Sequence, residues 1–280
     1  MIERSVTCIG PHGLHRLAYV EWPGPKDAPT VLCIHGLTRN ARDFDVLAQA
    51  LRADYRVICP DMPGRGKSEW LAIADDYAYP LYLADIVTLI ARLDVETIDW
   101  VGTSMGGIIG MLFAALPKAA LRRLVVNDVG AFIPKDGLDR IGQYVGADPG
   151  FSDMAALEAA LRRIHAPFGP LTDEQWHHMA IHSSRRKDDG SFGLHYDPKI
   201  AEIFKRGPIA DVDLWMQWDQ VKVPTLLLRG VQSDILPAEI AQAMTQRGPR
   251  AQLVEFADIG HAPALTALDQ ITIIRDFLRG

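Results

Sequence analysis

The chain has 280 residues, of which 48% are hydrophobic and 23% charged, and a formal net charge of −6. That apolar content suffices for one large domain around a buried sheet, and an acidic chain without a long basic run is a poor partner for nucleic acid or an anionic membrane. The short cluster Arg185-Arg186-Lys187 is followed at once by Asp188-Asp189 and reads as a solvated loop. No window approaches the roughly 18 consecutive apolar residues of a membrane span, and Met1 to Ser5 opens no leader-like stretch. Cys8, Cys33 and Cys59 each sit in an apolar run, which predicts reduced, buried thiols and a cytoplasmic protein.

In chain order, Val6–Ile9 and Leu14–Trp22 read as strands joined through Gly10-Pro11-His12-Gly13. Pro23-Gly24-Pro25 is a turn. The short apolar runs Thr30–Ile34, Tyr55–Cys59, Thr97–Val101, Leu121–Asn127, Thr225–Leu228 and Gln252–Phe256 then read as strands, most of them in the buried pattern of a parallel sheet. Helical stripes fall between them: Leu83, Ile86, Leu89, Ile90 and Leu93, then Ile108 to Leu116, Pro237 to Met244, and Leu268, Ile271, Ile274 and Leu278. Alternation of strand and helix predicts a doubly wound α/β fold. Residues 129–223 break the rhythm with helical pieces (Met154, Leu157, Leu161, Ile164) and scattered Pro and Gly. They are expected to form a helical insertion between two parts of one core, 1–128 and 224–280.

Chemistry concentrates at a few points. Gly102-Thr103-Ser104-Met105-Gly106-Gly107 lies between a predicted strand and a predicted helix. A turn that sharp needs nearly side-chain-free residues two before and two after the Ser, and Gly102 and Gly106 meet that need. Ser104 is therefore the candidate nucleophile, and the N–H of Met105, at a helix start, a candidate oxyanion donor. His35-Gly36-Leu37 ends another strand. The N–H of Leu37 is the second candidate donor, with His35 holding the loop; Arg39 and Asn40 either line a pocket or anchor that loop. His261, in Ile259-Gly260-His261-Ala262-Pro263, follows the last strand and is the candidate base. Two carboxylates follow strand ends, Asp234 and Asp128. Asp234 is the expected partner of His261, and Asp128 the alternative acid.

Taken together, His35-Gly36, Asp61-x-x-Gly64-x-Gly66-x-Ser68, Gly102 to Gly107, Asp234 and Gly260-His261 resemble the α/β-hydrolase superfamily. The resemblance covers essentially the whole chain. It implies a mostly parallel sheet of about eight strands with a helical cap at the insertion, acyl transfer through a covalent ester, and no cofactor. It also implies that the residue after Ser104 supplies an oxyanion donor. Asp61 to Ser68 is expected to be structural. Serine at the elbow separates the chain from relatives with a carboxylate nucleophile. The Ser-Met-Gly-Gly run is similar to that of carbon–carbon hydrolases of aromatic ring cleavage, but these usually carry Trp after the catalytic His, where Ala262 stands here. A small or medium ester, thioester or lactone is the expected substrate. Carbon–carbon cleavage and a slowly turning-over receptor are the alternatives. Phe132, Ile133, Phe168, Trp176, Trp215, Met216 and Trp218 are candidate pocket walls. The histidines His165, His177, His178, His182 and His195 lack a completing Cys or Glu, so no metal is expected.

Overall fold

The computed structural model describes residues 1–205 and 207–280; residue 206 lies outside the described residues. The apolar runs become strands β1 (Ile2–Gly10), β2 (Gly13–Trp22), β3 (Thr30–Ile34), β4 (Arg56–Pro60), β5 (Ile98–Thr103) and β6 (Leu121–Asn127). Much later in the chain come β11 (Thr225–Gly230) and β12 (Gln252–Phe256). They form one eight-stranded sheet in the order β1-β2-β4-β3-β5-β6-β11-β12. Only β2 runs against the rest: it pairs antiparallel with both β1 and β4, whereas β4-β3-β5-β6-β11-β12 is parallel throughout. Central parallel strands are covered on both faces, which is why β3 is buried at all five positions and β11 at all six.

Helices α1 (Asp45–Leu51), α2 (Tyr79–Leu93), α3 (Met105–Ala114), α8 (Ala238–Met244) and α9 (Leu268–Arg279) cover the sheet. One apolar cluster joins α2, α3 and part of the segment between β6 and β11 to one face; the other joins α1 and α9 to the opposite face. Trp100 illustrates the fit: its ring stacks on Phe113 at 5.7 Å and its indole N–H donates to Gly106 O at 3.0 Å, leaving no buried polar atom of the ring unpaired.

Between β6 and β11 lie α4 (Lys135–Gly142), α5 (Met154–Ile164), α6 (Asp173–His182) and α7 (Trp215–Trp218). The same segment holds β7 (Phe132–Ile133) paired with β10 (Val212–Asp213), and β8 (Ser184–Arg186) paired with β9 (Phe192–Leu194). None of these short strands joins the main sheet. Helix α6 starts with a capping box, in which Thr172 accepts from Gln175 N and Gln175 returns the bond to Thr172 N. The three cysteines are free and buried. Cys33 and Cys59, distant in sequence, meet across β3 and β4, and burial with the neighbouring Cys33 thiol pushes Cys59 well above the usual thiol range. Among the described residues no helix is long and apolar enough to cross a membrane.

Candidate active site

Parallel strands deliver their carboxyl ends to one edge, and every candidate residue arrives there. Ser104 follows β5 with φ 53° and ψ −115°, a strained backbone for a residue bearing a Cβ. The turn tolerates no bulk around it. A Cβ on Gly102 would lie 2.2 Å from Gly106 O, and one on Gly106 would lie 2.0 Å from Ile34 O. Gly106→Ala therefore has no neighbour that yields except backbone. We expect a loss of about 3 kcal/mol or more, read as a fall in Tm of roughly 6–12 °C in a thermal melt. A melt within about 2 °C of the parent would show that the turn relaxes.

His261 Nε2 lies 2.8 Å from Ser104 Oγ, and its Nδ1 lies 2.8 Å from Asp128 Oδ2. Asp128, with φ 59°, follows β6, the strand next to β5, and is fully buried. Its carboxylate also accepts from Gly230 N at 2.7 Å and from Ser233 Oγ at 2.6 Å. With the acceptor on Asp128, Nδ1 carries the proton and Nε2 is free to accept from the Ser104 hydroxyl. The expectation for Asp234 is corrected here. Asp234 does not meet His261; both its oxygens accept from Arg140 of α4, and it is partly exposed. Burial tends to raise its carboxyl, but the Arg140 guanidinium outweighs this and holds it below its usual value. The loop after β11 sends Ser233 inward, and the next side chain consequently faces out.

Two backbone groups, Leu37 N and Met105 N, are the expected oxyanion donors. Met105 N opens helix α3, where the first N–H groups have no partner within the helix. Among the described residues, neither Met105 N nor Leu37 N donates to another backbone group outside regular elements. The Leu37 loop lies against Ser104: a Cβ on Gly36 would sit 3.7 Å from Ser104 Cβ. His35 holds this loop. Its Nε2 accepts from Met62 N at 2.9 Å, so Nδ1 carries the proton and donates to Gly36 O at 2.7 Å. Burial, helped by the charges of Arg65 and Arg39, pushes its imidazole down to about 3, so it stays neutral. Asn40 is an anchor and Arg39 both anchors and borders a pocket: Arg39 pairs with Asp43 through two bonds and reaches Ser183, and Asn40 accepts from Arg42 N and donates to His182 O. Asp61 accepts from Ala41 N and Lys67 N, a loop-holding role.

Asn127 and Ser233 carry no motif, and the sequence does not mark them as part of the candidate site. The Asn127 amide donates to Thr103 Oγ1 at 3.0 Å and to Pro263 O at 2.9 Å, tying the elbow to the His261 loop.

Ser104, Leu37 and Met105 line a cavity of 580 Å³ whose walls are otherwise mostly apolar, among them Ile108, Ile133, Leu138 and Phe204. A second pocket of 270 Å³ lies beside Thr103 and Pro263 and includes Phe168 and Arg39. Of the predicted wall residues, Ile133 and Phe168 reach these spaces. Trp176 and Trp218 are core, and Met216 is exposed. Two clusters bring three metal-type ligand atoms within 4.8 Å of one another, Cys8-His15-Asp85 and Asp45-His178-His182. Asp45 thus completes a set that the sequence did not place beside the two histidines. Each carboxylate already has a partner, His15 at 2.9 Å for Asp85 and Arg42 for Asp45, and neither cluster includes a residue of the Ser104 chain.

A model of the alpha/beta hydrolase family matches residues 31–271. A 3-hydroxybutyrate-oligomer hydrolase of Cupriavidus necator is 46% identical over 283 aligned residues, covering 98% of this chain and 97% of its own. A solved structure from Rickettsia typhi, described as a hydrolase, superposes with a TM-score of 0.93 at 34% identity, covering 100% of this chain and 99% of that one. An alpha/beta hydrolase from Novosphingobium aromaticivorans gives 0.88 at 37% identity, over 99% and 98%.

Proposed function

The chain belongs to the α/β-hydrolase family, and from that premise we propose that it hydrolyses short carboxylic esters through an acyl-enzyme on Ser104. The observation that carries the reading is the unbroken chain from Ser104 Oγ through His261 to Asp128, 2.8 Å at each step. In the proposed reaction Ser104 attacks the carbonyl carbon while His261 Nε2 takes the hydroxyl proton. Asp128 keeps the proton on Nδ1 and balances the imidazolium. The N–H groups of Leu37 and Met105 receive the negative oxygen, each worth roughly 10²–10³ in rate. His261 then protonates the leaving alcohol. Water attacks the acyl-enzyme with His261 again as base, and the acid leaves.

Residues 129–223 act in this reading as a cap, since Ile133, Leu138 and Phe204 wall the cavity that Ser104 lines. A 580 Å³ space suits a small molecule and not a polymer strand. With 46% identity to a hydrolase of 3-hydroxybutyrate oligomers, a short oligoester of a hydroxy acid is the substrate we assign. Free, buried thiols support a reducing compartment, and we place the protein in the cytoplasm.

Incubation with the dimer and trimer of 3-hydroxybutyrate, followed by chromatography of the released monomer, tests the assignment. Turnover of both is expected, alongside hydrolysis of p-nitrophenyl acetate and butyrate. Hydrolysis of the nitrophenyl esters alone would remove the oligoester and leave the esterase. Inactivity on every ester would remove both.

A further inference from the structure

We propose that Arg65 is an electrostatic positioning residue for the oxyanion: a buried, uncompensated guanidinium held against the two residues whose N–H groups receive the negative charge. The inference rests on the ester-hydrolase reading above. Arg65 has no exposed surface. Its Nε donates to Leu37 O at 2.8 Å, and its Nη2 lies 3.4 Å from Met105 Sδ. Nη1 donates to Pro63 O at 2.7 Å and to Tyr82 OH at 2.8 Å. The rings of Tyr77 and Tyr82 lie 5.7 and 5.4 Å from Cζ. Every one of these partners is neutral.

Among the described residues no carboxylate lies within ion-pair distance of this cation. Two carboxylates in its surroundings are committed elsewhere. Asp61, in the same loop, serves Ala41 N and Lys67 N, and Asp197, behind Tyr77, serves the Tyr77 hydroxyl and Lys199 N. A buried cation without a counter-ion is costly to hold. At this place an opposite charge arises only during the reaction, when the carbonyl oxygen becomes an oxyanion between Leu37 N and Met105 N. Arg65 lines the same cavity as Ser104, Leu37 and Met105. Its charge is therefore unbalanced in the resting enzyme and balanced near the transition state. Such differential stabilisation raises kcat and leaves ground-state binding nearly unchanged. With no exposed surface, Arg65 acts through its field and through the two residues it holds.

The test measures kcat and KM on p-nitrophenyl butyrate for wild type, Arg65→Met and Arg65→Lys. It adds the affinity of a trifluoromethyl ketone, which forms an oxyanionic adduct on the nucleophile. Arg65→Met is expected to lower kcat by about 10²-fold, keep KM within about 3-fold, and weaken the ketone by the same factor as kcat/KM. Arg65→Lys, which keeps the charge, is expected to stay within about 10-fold of wild type. Wild-type kcat in Arg65→Met, or equal losses in Met and Lys, would overturn the inference. So would a kcat loss that the ketone does not follow. Should circular dichroism show Arg65→Met unfolded, the Lys variant decides alone, and a folded Lys variant with a loss of about 10²-fold overturns the charge role. Absence of wild-type ester turnover removes the hydrolase reading and this inference together; an active wild type with an unaffected Met variant removes this inference only.

Discussion

Ser104→Ala is expected to lower kcat on a short ester by roughly 10⁵–10⁶-fold while the protein stays folded. In the proposed reaction the variant loses the atom that carries the acyl group: without Oγ, His261 would have only water to activate, and the proposed oxyanion donors would act on an uncatalysed attack. Stability should change little. Ser104 donates its backbone N–H to Asn127 O at 2.9 Å, a bond that alanine keeps, and alanine adds no atom to the turn. Initial rates on p-nitrophenyl butyrate with a parallel thermal melt check both halves. Residual activity above about 1% in a preparation free of wild type would place the nucleophile elsewhere. Labelling wild type with a fluorophosphonate and locating the modified peptide gives an independent answer, which should fall on the peptide containing Ser104.

The second large effect separates the two aspartates. Asp128→Asn is expected to lower kcat by about 10⁴-fold, because an amide in that place no longer demands a proton on His261 Nδ1. The imidazole then carries its proton on Nε2, where it cannot accept from Ser104. Asp128 is fully buried and takes three hydrogen bonds, from His261, Ser233 and Gly230, so the variant should also melt earlier. Asp234→Asn should behave otherwise. It weakens a partly exposed ion pair with Arg140, worth at most about 1 kcal/mol, and should leave kcat within about 3-fold. Steady-state rates of the two variants side by side decide the matter. A reversed ranking would return the acid to the loop after β11.

The contrast between these residues marks how far the chain could be read before folding. The elbow was legible because its requirements are local. A strand, two glycines around Thr103, Ser104 and Met105, and a helix lie within one contiguous stretch, and sterics inside that stretch dictate the turn. Strands β3, β6 and β12 were placed at their observed limits, since a short apolar run bounded by polar or turn residues has few other buried states. His261 stands after the last strand in the sequence, and the structure sets its Nε2 2.8 Å from Ser104 Oγ.

Asp128 and Asp234 look alike in sequence, each just beyond a strand. The choice between them depends on strand order, which sets β6 beside β5, and on the loop after β11, which turns Ser233 inward and Asp234 toward Arg140. Arg65 lies inside a motif read for its glycines and Asp61, and its neutral surroundings among the described residues exist only once Leu37, Pro63, Met105 and Tyr82 surround it. The pocket walls were least legible, because Trp176 and Trp218 carry the same apolar character as Ile133 and Phe168. Residue type tells which side chains leave water, but whether they leave it for the core or for a cavity wall is decided by packing between segments far apart in the chain.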